Sequence, residues 1–233
     1  MVNNKNKRQN SAAFYILLIT CYLLLAAPAS GVFIEELAQG ITKEYYPDGK
    51  VRCIKSYRDG VLDGVVKTYD ENGRLISEQT YLYGLADGKE KEYYPDGNLR
   101  MKVNYIDGKR EGVQITYRTD GRVESETPFS GDKISGIKTN YHEDGKIKSE
   151  ITYADNKPEG FAKIYYESGK PQAELFYKSG ILSGTAKIYD ENDESYTELI
   201  YKDGTAVKGY FVTKEGKRKT LKKQQLQITN YQL

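Results

Sequence analysis

Residues 43–50 read KEYYPDGK, and residues 91–97 read KEYYPDG again, 48 residues further on. Such a recurrence has three readings: a duplicated catalytic loop, a ligand grip used twice, or a fragment of a repeat that runs everywhere. Working outward from the octapeptide decides between them. Gly40, Gly64, Gly88, Gly112, Gly136, Gly160 and Gly184 follow one another at intervals of 24 without a slip. Five residues after each comes a tyrosine: Tyr45, Tyr69, Tyr93, Tyr117, Tyr141, Tyr165 and Tyr189. Twelve residues after each tyrosine stands another aromatic: Tyr57, Tyr81, Tyr105, Phe129, Tyr153, Tyr177 and Tyr201. The unit is therefore 24 residues long with a half-period of 12, and seven copies fill residues 40–207. Self-similarity at such a period is the signature of a repeat architecture.

The octapeptide is the corner of that unit. Proline presets φ for a turn, aspartate accommodates the next position, and glycine supplies a positive φ. Pro47-Asp48-Gly49 thus predicts a type I turn closed by a glycine bulge, a tight hairpin loop. The turn glycines are Gly49, Gly73, Gly97, Gly121, Gly145 and Gly169, with Asp193 in that place in the seventh copy. Between turns, stretches such as RLISEQTYL alternate and are rich enough in β-branched residues to read as strands. The second connection, YRDGVLDG or YIDGKREG, is a slightly longer loop with two glycines. No segment of the array offers an apolar stripe at helical spacing. The fold class is all-β: about seven β-hairpins forming one elongated, twisted antiparallel sheet. Fourteen strands at roughly 4.8 Å each would span about 65 Å.

The turn geometry also sets a register. Tyr45 should face Val51, Tyr69 Leu75, Tyr93 Leu99, Tyr117 Val123 and Tyr141 Ile147. Aromatic–aliphatic pairs of this kind contribute about 0.2–1 kcal/mol each. In the last two copies the partners become Pro171 and Ser195, so the pattern decays toward a capping unit. KGYFVTKEGKRKTL reads as a last partial hairpin within a basic cap and tail, residues 208–233, and Gln224–Leu233 as a poorly specified end.

Composition bounds the rest. The chain has 233 residues with 22 Tyr, 22 Gly, no Trp, 6 Phe and one His. Its apolar payload is tyrosine, whose hydroxyl wants water or a partner, which favours a thin structure with a wet edge over a thick core. At the N-terminus, Lys5, Lys7 and Arg8 precede the uncharged run SAAFYILLITCYLLLAAPAS, which ends in Ala27-Pro28-Ala29. Residues 1–29 read as a secretory signal cleaved after Ala29, or as an uncleaved anchor, with 30–39 a short linker. Either reading exports the array to the periplasm, the cell surface or the medium. Beyond the signal Cys53 is the one cysteine left, which leaves no internal disulfide. Beyond Gly204 seven Lys/Arg stand against one Glu, so the tail carries +6 and residues 30–204 carry −7. An acidic body argues against nucleic acid as a partner.

YYPDGK-x6-Y-x-x-G-x3-G resembles the bacterial variant of the MORN repeat, a hairpin unit of similar length. The resemblance covers residues 40–207. It implies a curved antiparallel sheet, a role in protein assembly or scaffolding, and in some members phospholipid contact. Bacterial members of the variant group often carry the label antitoxin. The chain departs from the better-known MORN pattern in lacking a G-x-G pair after the aromatic, in having no Trp and in its fixed period of 24.

Candidate sites follow from the repeats. His142 occupies a variable turn position held elsewhere by Asp70, Arg118, Tyr166 and Asp190, and reads as solvent-exposed rather than catalytic. Cys53 reads as a small filler on the sheet. Asp70-Glu71-Asn72-Gly73 and Asp190-Glu191-Asn192-Asp193 lack the ligand spacing of a calcium loop. Glu78, Glu126, Glu150, Glu174 and Glu198 read as a regular charged face. No constellation occurs once only, so no catalytic residue, metal site or cofactor is expected. The candidate contact surface is tyrosine: Tyr45, Tyr46, Tyr69, Tyr93, Tyr94, Tyr117, Tyr141, Tyr165, Tyr166 and Tyr189. Tyr45 should staple its hairpin, and Tyr46 on the other face should be left free to touch a ligand. The expected function is a non-enzymatic exported scaffold with another protein as partner. The alternatives are an envelope glycan- or phospholipid-binding module and an antitoxin-like neutralising protein.

Overall fold

A computed structural model describes residues 39–227. The expected signal segment 1–29 and most of the linker lie outside the described residues. Strands cover most of what is described, all antiparallel, and the described residues divide into two compact units, 39–109 and 110–227.

In the first unit three hairpins follow one another: Gln39–Tyr45 with Val51–Arg58, Gly64–Tyr69 with Leu75–Leu82, and Leu85–Tyr93 with Leu99–Ile106. In the second unit there are four: Gly112–Tyr117 with Val123–Ser130, Gly136–Tyr141 with Ile147–Ala154, Lys157–Tyr165 with Pro171–Lys178, and Gly184–Tyr189 with Tyr196–Lys202. The expected terminal hairpin closes this unit, as Thr205–Val212 pairs with both Tyr196–Lys202 and Arg218–Thr220. Within each unit the reading of an open antiparallel hairpin array holds.

The corner behaves as its residues dictate. The Tyr46 amide donates to the Lys50 carbonyl at 2.8 Å, and the Gly49 amide to the Tyr46 carbonyl at 2.9 Å. Gly49 sits at φ +84°, a region that costs other L-residues about 1–2 kcal/mol. Asp48 completes the turn by accepting from the Lys50 amide at 3.1 Å. The same pattern recurs with Gly73, Gly97, Gly121, Gly145 and Gly169, all at φ between +81° and +89°. Register follows: Tyr45 opposes Val51, Tyr69 Leu75, Tyr93 Leu99, Tyr117 Val123, Tyr141 Ile147 and Tyr165 Pro171, each beside a bulge that skips one residue.

The seventh hairpin departs from the expected register. Tyr189 opposes Tyr196, not Ser195. Asp193 replaces the glycine, and no positive φ is taken there. The loop widens instead: the Asp190 amide reaches the Ser195 carbonyl, five residues on rather than four. The bulge that the other hairpins carry in the strand disappears from this one. The residue count is conserved because the extra residue has moved from the strand into the loop.

Alternation sends successive side chains to opposite faces. One face of the second unit is its core, with Ile151, Ala162, Ala173, Leu175, Tyr177, Ala186, Leu199 and Tyr201 all buried. Lys223–Gln227 is a 3-10 helix, and Leu226 and Leu221 close over this core beside Gly209, where a Cβ would lie 2.7 Å from Leu226. The part of the expected tail that is described therefore contributes packing, and residues 228–233 lie outside the described residues. In the first unit the buried hydrophobics are Cys53 and Val103. Cys53 is the small filler its neighbours in the repeat suggest.

Candidate interaction face

The two aromatic sets lie on opposite faces as well as at opposite ends of the strands. Tyr177 and Tyr201 belong to the core face, where burial, with Tyr153 and Tyr201 nearby, pushes the Tyr177 phenol up to about 12. The other set, the strand tyrosines, stands on the outer face and meets the glutamate ladder. Tyr93 donates to Glu78 at 2.9 Å, and Tyr165 to Glu150 at 3.1 Å. Tyr141 bonds Glu126 and Tyr189 bonds Glu174 in the same way. In every case the glutamate lies fifteen residues back, in the preceding repeat. The charged face expected from the sequence is thus the acceptor half of an inter-repeat rung.

Electrostatics confirm which form these groups take. Burial first, and then the Glu78 carboxylate, push the Tyr93 phenol up to about 12. Burial and then Glu174 do the same for Tyr189. The Lys67 ammonium, 3.0 Å away, holds Glu78 below the usual carboxylate range, and the Tyr93 hydroxyl helps. Tyr93 is thus a neutral donor and Glu78 a charged acceptor, the stronger class of hydrogen bond.

A second set of ties runs along the turns. The Tyr46 hydroxyl donates to the Tyr69 carbonyl at 2.8 Å, and Tyr166 to the Tyr189 carbonyl at 2.8 Å. Tyr46 is therefore not left free for a ligand: its hydroxyl satisfies a carbonyl of the next hairpin. Arg118 reaches the Tyr141 carbonyl at 2.7 Å and His142 the Tyr165 carbonyl at 2.9 Å from the same turn position. A carbonyl only accepts, so His142 presents Nε2–H, and the ring is half-buried rather than solvent-exposed as its turn position suggests. Tyr, Arg and His look unrelated in the repeat alignment, yet all three are long side chains that end in a donor. Asp70 and Asp190 have no proton to give, and they fold back onto their own turns, accepting from the Asn72 and Asn192 amides.

In four copies the residue after the turn adds another stitch, while Arg74 and Asn98 in that place bond to the acid of their own turn. Lys50 donates to the Glu71 carbonyl at 2.7 Å, Arg122 to Glu143 at 2.6 Å, Lys146 to Glu167 at 2.9 Å and Lys170 to Glu191 at 2.8 Å. At the opposite strand ends the stitches are backbone bonds, such as Gly84 to the Leu62 carbonyl and Gly180 to the Pro158 carbonyl, both 2.8 Å. Acids reinforce them: Asp87 accepts from the Asp107 amide at 3.2 Å and Glu111 from the Gly131 amide at 2.9 Å. A neutral bond of this kind contributes about 0.5–1.5 kcal/mol net, so cohesion is spread over many small ties.

Of the ten candidate tyrosines, Tyr45 alone is exposed, at 56%. The others are half-buried: Tyr69 and Tyr117 on their strands, Tyr94 at the turn position of Tyr46 and Tyr166, and the rest in the bonds described. Beside the rungs the outer face also exposes apolar side chains. In five of the seven repeats the residue after the strand glycine is apolar, Ile41 at 69%, Val65 at 40%, Val113 at 51%, Ile137 at 57% and Phe161 at 69%, with Lys89 and Thr185 in that place in the other two. In the second unit these residues form part of a row across the strands. Val113 opposes Pro128, Ile137 opposes Thr152, Phe161 opposes Phe176 and Thr185 opposes Ile200. Phe161 and Phe176 stack edge to face at 5.1 Å. A hollow of about 430 Å³ lies beside Phe161, lined also by Lys163, Glu174, Thr185 and Lys187. In the first unit the same row reads Ile41, Ser56, Val65, Thr80, Lys89 and Asn104, apolar at two of six places. The sequence signal for this row is an apolar residue just after the strand glycine in five of the seven periods.

Among the described residues no three His, Cys, Asp or Glu side chains gather into a metal-binding group. Solved structures similar to the chain include one of TcdB2-TccC3-TEV, 15% identical over 78% of this chain with a TM-score of 0.23. Another is virginiamycin B lyase from Staphylococcus aureus, 14% identical over 79% of this chain and 69% of that one, with a TM-score of 0.19. The chain spans only 13% of the TcdB2-TccC3-TEV chain, and likenesses at these scores define neither fold nor function. No curated protein matches the chain. Five of its segments, residues 38–59, 62–83, 86–107, 135–155 and 158–179, match the family described as MORN repeat variant. With its glycine-closed corners and its hairpins tied one to the next, the chain is a MORN-repeat protein.

Proposed function

We propose that this protein is an exported, non-enzymatic scaffold that binds another protein through the outer face of its hairpins. MORN repeats are interaction modules for proteins or membrane lipids and are not themselves catalytic. The observation that carries the protein reading is the exposed row of Val113, Ile137 and Phe161, each more than half open to solvent. A periodic apolar row on a rigid sheet suits a protein surface with matching side chains. The strand tyrosines brace this face beside the row, because their hydroxyls are held by glutamates of neighbouring repeats. The basic and apolar N-terminal segment supports export, with cleavage after Ala29.

A photoreactive residue placed at Phe161 tests the reading against envelope fractions and phospholipid vesicles. The expected product is a covalent adduct with a protein, lost when Ile137 is changed to Lys. Labelling of vesicles alone would refute it in favour of the phospholipid reading, and recovery of glycan alone in favour of the wall-binding one. N-terminal sequencing of the exported protein should begin at Ser30.

A further inference from the structure

We infer that the hollow between the second and third hairpin corners is a binding site for a basic side chain, lysine or arginine, presented by another protein. The hollow, of about 350 Å³, is lined by Arg74, Leu75, Glu78, Tyr93, Pro95 and Asp96. It lies within the first unit, apart from the apolar row of the second, and the inference does not depend on what that row binds.

The repeat itself shows what belongs at such a corner, because elsewhere two donors cross from one hairpin to the next. Tyr46, Arg118, His142 and Tyr166 bond the carbonyls of Tyr69, Tyr141, Tyr165 and Tyr189. Lys50, Arg122, Lys146 and Lys170 bond the carbonyls two residues further on, those of Glu71, Glu143, Glu167 and Glu191. The equivalent acceptors on the third hairpin are the Tyr93 and Pro95 carbonyls. Neither donor crosses to them. Asp70 stands where the first donor is needed and has no proton to give. It also draws back the second, accepting from Arg74 Nε at 2.7 Å and from the Arg74 amide at 2.9 Å. One aspartate thus removes both ties, and the hollow lies where they would run.

Charge fixes the class of ligand. Asp48, Asp120 and Asp144 each pair with a cation two residues on: Lys50 at 2.8 Å, Arg122 at 3.7 Å and Lys146 at 2.7 Å. The third corner carries Asn98 in that place. Asp96 therefore accepts neutral N–H groups, from the Asn98 amide at 2.9 Å and its side chain at 3.1 Å, and has no ion pair among the described residues. The other charges around the hollow are matched, Arg74 by Asp70 and Glu78 by Lys67 at 3.0 Å. Two backbone carbonyls and one uncompensated carboxylate accept without donating, so the ligand must bring N–H donors and a positive charge. Leu75 and Pro95 offer an apolar wall for the stem of a lysine or arginine. The chain completes its other corners with side chains of this kind, and the fourth uses Arg118 and Arg122 together. A partner's basic side chain completes the second in the same way.

Amide-resolved NMR of the protein, titrated with N-acetyl-lysine amide and N-acetyl-arginine amide to roughly 20 mM, tests this over a range that brackets a millimolar dissociation constant. The expected result is saturable shifts at the Leu75, Asp96 and Gly97 amides. N-acetyl-norleucine amide, which has the stem without the charge, should cause none. Asp70→Tyr supplies the donor that Tyr46 supplies in the first hairpin and releases Arg74 toward Pro95. It should abolish binding while raising, not lowering, the exchange protection around the corner. Asp96→Asn keeps the turn, removes the charge and should weaken binding about threefold. Absence of shifts at the top of the range overturns the inference, as does equal binding of the norleucine amide. Binding indifferent to Asp70→Tyr or to Asp96→Asn overturns it too. Tighter binding of spermidine than of either amide overturns the protein source in favour of a free polyamine.

Discussion

The two units use one repeat to different ends. Residues 39–109 and 110–227 share the turn, the register and the stitches between successive hairpins. Their core faces differ. In the first unit that face holds Thr42, Glu44, Lys55, Ser77, Gln79, Glu90 and Glu92 beside the buried Cys53 and Val103. Toward the end of the second it holds Ala162, Ile164, Ala173, Leu175, Ala186 and Ile188, closed by Leu221 and Leu226. Backbone pairing is therefore indifferent to what the face carries, while burial depends on it. The first unit coheres through edges and ion pairs such as Glu44 with Lys55 and Arg52, at 2.5 and 2.6 Å, and the second adds an apolar core.

The sharpest way to break this comparison is through the cores. Leu199 is fully buried, and Leu199→Ala should cost about 2–5 kcal/mol. Val103→Ala removes less carbon from a face lined by polar groups and should cost clearly less. Hydrogen exchange should show Leu199→Ala opening the second unit while the amides around Cys53 keep their protection. Equal losses from the two substitutions would mean that both units depend on burial alike.

A smaller effect separates the stitches. Tyr46→Phe deletes the donor to the Tyr69 carbonyl, and His142→Leu the donor to the Tyr165 carbonyl. Each should cost about 0.5–1.5 kcal/mol in chemical denaturation. The first unit, with less core behind it, should show the larger rise in local exchange. His142→Tyr should leave stability within about 0.5 kcal/mol, because Tyr46 and Tyr166 already fill the same role. Loss of stability from His142→Tyr as large as that from His142→Leu would remove the donor argument.

The remaining comparison is a titration. Tyr93 in the first unit and Tyr177 and Tyr189 in the second are pushed up to about 12. A phenol raised in the folded state stabilises fully below its unfolded value of about 10 and loses that contribution as pH climbs through about 12. Both units should therefore soften between those limits, followed by phenolate absorbance. Glu78→Gln should bring the Tyr93 titration down and leave Tyr177, which owes its shift chiefly to burial, where it is. Coincident movement of both would show that the rung is not local.

Much of this was legible in the chain. Pro47-Asp48-Gly49 announces its turn, and Tyr45 finds Val51, because both are decided within a few residues by backbone sterics. The acceptors of Tyr46 and His142 were not legible, since the carbonyls lie 23 residues away and meet them only once hairpins are laid side by side. The shift at Asp193 is intermediate: the missing glycine is plain, but whether the extra residue sits in the loop or the strand depends on the pairing of Tyr196 with Tyr189.

By itself, then, the sequence determined the period, the corners and the antiparallel register, because φ preferences and alternation act over short distances. Only the tertiary structure decided which tyrosines are occupied, which face is core and which residues stand open on the other. Those depend on neighbours one repeat away, and no local preference specifies them.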